Sequence, residues 1–141
     1  MKLLTILSCL AAVYLISLLN ACQPNVSIQT AQYAVNGQKL YTTHCQNCHG
    51  AKGEGLGKLY PPLTDAKYFK DNRNILPCII KNGISGPIQI NGETFNEKMP
   101  GVPELTEVDI AYILTYITTT FAQENEKYSQ EEVRTNLQNC K

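Results

Sequence analysis

The chain is short of charge. Only 17% of its 141 residues are charged, and 12 basic side chains face 12 acidic ones, so the formal net charge is zero. Lys2 is the only charged residue among the first 21, and without that stretch 11 basic and 12 acidic side chains remain. Nucleic acid demands a concentrated basic face, and this balance offers none, so that partner class is set aside. Histidine and methionine are scarce as well, with two of each. Any chemistry that needs imidazole or thioether sulfur must therefore fall on very few side chains. There is no internal repeat. A length of 141 residues with 43% hydrophobic composition suits one ordinary domain.

What the chain does have begins with an apolar run. Lys2 supplies a positive start, and Leu3 to Leu19 are apolar apart from Thr5, Ser8, Tyr14 and Ser17. This reads as an export signal over residues 1–21. An uncleaved transmembrane anchor is the competing reading, because a span needs about 20 apolar residues. Leu19-Asn20-Ala21-Cys22 favours the signal, since it resembles a bacterial lipobox in which the cysteine is acylated and becomes the new N-terminus. Asn20 is an imperfect match at its position. Acyl chains on Cys22 would hold the protein to a bilayer, each buried methylene contributing about 0.8 kcal/mol. Either reading gives an exported, membrane-bound domain in a bacterial cell envelope, on the periplasmic or outer side. Residues 22–30 are polar, carry Pro24, and read as a tether.

Cys45-Gln46-Asn47-Cys48-His49 is the C-x-x-C-H pattern of covalent haem attachment. Two thiols three positions apart on a helical turn can reach the two vinyl groups on one porphyrin edge. The next residue, His49, then lies under the ring as an iron ligand. A thioredoxin-like pair would need a βαβ context, which is lacking. Zinc would need a second ligand pair at matching spacing, and only Cys78, Cys140 and His44 remain, widely scattered. A structural disulfide between Cys45 and Cys48 fits the spacing but leaves His49 unexplained. One motif and no repeat imply one haem c.

With these residues in place, 31–122 resembles a class I cytochrome c. The resemblance implies an all-α fold of three to five short helices wrapped around one haem, and 123–141 then form a C-terminal extension. It implies that the proximal histidine's other ring nitrogen donates to a backbone carbonyl in a proline loop, which Tyr60-Pro61-Pro62-Leu63 would supply through Pro61. It also implies a distal Met-Pro motif, matched by Lys98-Met99-Pro100-Gly101. Met99 is the only methionine left once Met1 departs with the signal. A core-filling role is the alternative for Met99, and Lys98 and His44 are rival ligands, His44 being expected to face solvent. The sequence supplies candidate walls before Gly83 in Leu59, Leu63, Tyr68, Phe69, Ile75 and Ile79, and after it in Ile84, Ile88, Phe95 and Leu105.

A His49/Met99 pair would leave iron no open position, and soft sulfur favours the ferrous form. The expected function is electron transfer with membrane-associated redox proteins such as an oxidase, a reductase or a dehydrogenase. A haem sensor with a displaceable Met99 is the alternative. A peroxidase-like enzyme is disfavoured, because such cytochromes generally carry two haem motifs.

The framework follows helical spacing. Ala34, Gly37, Leu40 and Tyr41 mark a first helix, and Thr106 to Asp109 resemble a capping box opening a last helix with Ile110, Ile113, Leu114, Tyr116 and Ile117 on its apolar face. In the family these two helices cross closely, and Gly37 and Tyr116 fit the glycine and the aromatic found there. A middle helix is expected over roughly 73–82, and Pro77 fits it best if the helix is irregular or begins nearby; Asn91-Gly92 predicts a hairpin within 88–96. The two remaining cysteines, Cys78 and Cys140, suggest a disulfide in an oxidising compartment. Unpaired thiols, or pairing of Cys140 between chains, stay open. The extension would be a solvated helix.

Overall fold

The computed structural model describes residues 26–140. The expected signal segment 1–21 and Cys22 lie outside the described residues. Helix α1 runs Ile28–His44, α2 Gln46–His49, α3 Ala66–Asp71, α4 Leu76–Asn82, α5 Glu107–Thr120 and α6 Gln130–Gln138. Strands β1 (Gly83–Ile84) and β4 (Met99–Pro100) form one antiparallel pair, and β2 (Ile88–Ile90) and β3 (Glu93–Phe95) another. Among the described residues no helix is long and apolar enough to cross a membrane.

The fold is all-α with two minimal strand pairs. Among the described residues the predicted haem-binding domain holds five helices, α1 to α5, within the expected three to five, and α6 lies in the extension. The single turn α2 carries the attachment motif. Helix α1 starts earlier than expected, taking three residues from the supposed tether, because the Ser27 side chain accepts from the Thr30 amide and caps it.

Helices α1 and α5 cross at Gly37. A Cβ there would collide with the Tyr112 carbonyl oxygen and come within 2.8 Å of Tyr116 Cβ. Only glycine lets the backbones approach so closely, and this offsets the roughly 1 kcal/mol that glycine costs inside a helix. Thr106 and Asp109 form the expected capping box at the start of α5. That helix is buried on more than its predicted face, because it packs against α1, α4 and α6 together. The core gathers Tyr41, Phe69, Leu76, Ile80 and Leu105 around it.

Helix α4 begins at Leu76 and not at Arg73. Pro77 has no amide proton and a preset φ, so it sits in the first turn instead of interrupting a longer helix. Helix α3 was not anticipated; the Asp65 side chain caps it by accepting from the Tyr68 amide. The hairpin has the predicted turn, with Asn91 and Gly92 at φ 51° and 79°. It pairs Ile88 with Phe95 and Ile90 with Glu93.

The C-terminal extension is an integral part of the fold, which corrects the expectation of a solvated helix. Tyr128 and Val133 are fully buried. The Thr115 hydroxyl accepts from the Tyr128 amide at 3.0 Å. The Arg73 guanidinium lies 3.9 Å from the centre of the Tyr128 ring and pairs with Glu132 at 2.7 Å. Cys78 of α4 and Cys140 are joined by a disulfide with Cα atoms 5.7 Å apart.

Candidate haem site

The attachment motif sits where α1 ends. Cys45 breaks helical geometry with φ −121°, its amide still bonding the Tyr41 carbonyl, and the chain restarts as α2. That restart places Cys45, Cys48 and His49 along one wall of an apolar cleft that encloses about 1250 Å³ including its mouth. The Tyr41 hydroxyl donates to the Gly50 carbonyl at 2.6 Å and fixes the chain as it leaves the motif. Tyr41 is itself packed against Tyr116 and Phe121.

Residues 50–63 fold back beneath the motif. Gly55 donates to the His49 carbonyl at 2.9 Å and Leu63 donates to the Gly53 carbonyl at 2.8 Å. Gly55 has φ 72°, and a Cβ on it would lie 2.8 Å from Pro61 carbon and Pro62 nitrogen, so glycine is what lets the proline loop come this near. The result is the bond between His49 Nδ1 and the Pro61 carbonyl, 3.0 Å long. A carbonyl oxygen can only accept, so Nδ1 carries the proton and Nε2 keeps a free lone pair. Burial lowers the His49 pKa below the ordinary imidazole value, with the Pro61 bond partly opposing it. Burial favours the neutral imidazole, and the Pro61 bond fixes its orientation. Cys45 and Cys48 are free thiols. Burial, followed by the neighbouring Cys48, pushes the Cys45 pKa up to about 11, which keeps it protonated at neutral pH.

Met99 lines the same cleft from β4, where it pairs with Ile84 of β1. Seven of the ten expected wall residues line the cleft: Leu63, Tyr68, Phe69 and Ile79 before the strands, and Ile84, Ile88 and Phe95 on or between them. The other three do not. Leu59 and Ile75 point outward, 54% and 42% exposed, and Leu105 is buried in the core behind. His44, expected to face solvent, is half-buried and lines the cleft, and Lys98 stands on its rim. Leu76 and Ile80 are wall residues the sequence reading missed. Their spacing of four, with Ile79 between, was the available signal once α4 had been placed correctly.

The residues fit a covalently bound haem. Two thiols three positions apart, an imidazole with one nitrogen fixed and the other free, and a thioether line one largely apolar cleft. Fold and site together define a small helical protein made to hold one haem by thioether bonds. The sequence model of the family described as Cytochrome c matches residues 34–121. Cytochrome c-552 of Thermus thermophilus is 28% identical over 90 residues, covering 61% of this chain and 68% of that protein. A second cytochrome c-552, from a named strain of Thermus thermophilus, is likewise 28% identical over 90 residues, 61% of this chain and 60% of its own length. The chain belongs to the cytochrome c family, as a class I c-type cytochrome. Its class of function is that of a haem-based electron carrier.

Proposed function

We infer that this protein carries single electrons through one haem c that is held by Cys45 and Cys48 and ligated by His49 and Met99. The observation that carries the reading is the 3.0 Å bond from His49 Nδ1 to the Pro61 carbonyl, which turns a free Nε2 toward an apolar cleft that Met99 also lines. Bound there, the group supplies a reversible one-electron iron couple. The chain's own residues do the rest. Pro61 holds the imidazole in one tautomer and strengthens it as a donor. Met99 would hold the iron through soft sulfur, which would favour the reduced state and keep oxygen or another ligand from binding. The apolar walls exclude water, so little solvent reorganises when charge arrives or leaves.

The site serves an exported domain held at a membrane through acylated Cys22, with membrane-associated redox proteins as partners. The apolar run, the lipobox-like Leu19 to Cys22 and the oxidising environment implied by the Cys78–Cys140 bond support that placement.

A redox titration of the haem-loaded protein tests the carrier role. The expected result is a reversible one-electron curve, superimposable in both directions, with no change in ligation between the two states. Hysteresis, together with immediate uptake of carbon monoxide by the reduced form, would favour a sensor with a displaceable Met99.

A further inference from the structure

The segment that carries Met99 hangs from one end of α4. Met99 and Pro100 pair with Ile84 and Gly83. The Val102 amide donates to the Ile80 carbonyl at 2.9 Å. Lys81, lying between those anchor points in sequence, reaches across and donates from Nζ to two backbone carbonyls, Pro103 at 2.6 Å and Leu105 at 2.8 Å. Among the described residues Lys81 forms no ion pair. Its ammonium therefore serves the loop alone. Pro103 lies in an irregular stretch, where a carbonyl has no helix or strand ladder to bond it. Helix α4 is itself fixed from behind by the Cys78–Cys140 bond, so Lys81 works from a rigid base.

We propose that Lys81 is a positioning residue for Met99. By gathering the Pro103 and Leu105 carbonyls it closes the loop from 99 to 105 onto the end of α4, and it sets how often the Met99 side chain leaves the cleft. The inference rests on the reading of Met99 as an iron ligand. A cation at the end of a helix also offsets the exposed carbonyls of that helix. That simpler role would leave the Met99 loop indifferent to the loss of Lys81, and so the two are separable.

The experiment uses haem-loaded protein and compares the parent with Lys81→Met, Lys81→Arg and, as a surface control, Lys70→Met. Two quantities are read: the rate at which the reduced form takes up carbon monoxide, which requires Met99 to leave, and hydrogen exchange at the Val102 amide. Loss of a charged hydrogen bond predicts an acceleration of about tenfold in both for Lys81→Met. Lys81→Arg, which keeps charge and donors, should stay near the parent, and Lys70→Met should match it. Parent-like uptake and exchange in Lys81→Met overturn the proposal. Should that variant not fold, Lys81→Gln makes a milder change at the same tip, and parent-like behaviour there overturns it equally. Immediate carbon monoxide uptake by the parent, with no methionine-to-iron charge-transfer band, sinks the ligation reading first and this proposal with it.

Discussion

Replacing Cys45 and Cys48 together by alanine yields a protein from which haem is extracted completely by acidified organic solvent, whereas the parent retains all of it. The two thiols are free and line the cleft beside His49, and among the described residues they are the only cysteines placed to anchor a group there. Without thioether bonds the remaining hold is ligation by His49 together with apolar contact, and both are reversible. Single variants should keep covalent haem through the other cysteine, with a shifted visible spectrum from the unsaturated vinyl group. Denaturing gels stained for haem, read beside intact mass, check the result. Covalent haem persisting in the double variant would mean that the attachment residues lie elsewhere.

The second large effect concerns stability. Cys140→Ser removes a cross-link between residues 62 apart in sequence. A closed loop of that length carries a chain-entropy effect of about 4 kcal/mol, and removing native disulfides commonly costs about 2–5 kcal/mol. The other ties of the extension are weaker. The Arg73–Glu132 pair is about one quarter exposed at both ends and contributes on the order of 1 kcal/mol or less. The stacking of Arg73 on Tyr128 adds a similar amount. Tyr128 brings a large ring into the core but buries a hydroxyl with no hydrogen-bond partner, which offsets part of that gain. The disulfide therefore dominates. In Cys140→Ser the melting temperature should fall by on the order of 10 °C, and the amides of α6 should exchange faster than those of α5. A melting temperature unchanged from the parent would show that packing of Tyr128 and Val133 alone holds the extension.

How far the sequence could be read depended on the range of the interaction. The Cys45-to-His49 motif is local, and its spacing alone placed the thiols and imidazole together. Pro61 and Met99 were legible through family resemblance, and Met99 also because the only other methionine, Met1, falls in the expected signal segment. The Asn91-Gly92 turn was legible because only a few residue pairs adopt its backbone angles readily. Long-range packing was not legible. Tyr128 and Val133 look like parts of a polar tail until α4 and α5 present a surface to bury them. Arg73 finds Glu132, 59 positions later, and no local pattern forecasts that. Pro77 leaves open whether the middle helix is irregular or begins beside it, and with the start at Leu76 undecided the sequence does not mark Leu76 and Ile80 as walls. Leu59 and Ile75 are apolar yet exposed, which hydrophobicity alone does not distinguish from lining a cleft. His44 precedes the attachment motif and is expected to face solvent, but the break at Cys45 leaves it half-buried on the cleft.

The central claim is that His49 and Met99 together ligate one haem, and the far-red absorption of the oxidised, haem-loaded protein tests it most directly. The account predicts a weak methionine-to-iron charge-transfer band in the parent that disappears in Met99→Ala while the covalent haem stays in place. A parent without that band, whose reduced form binds carbon monoxide at once, would contradict it.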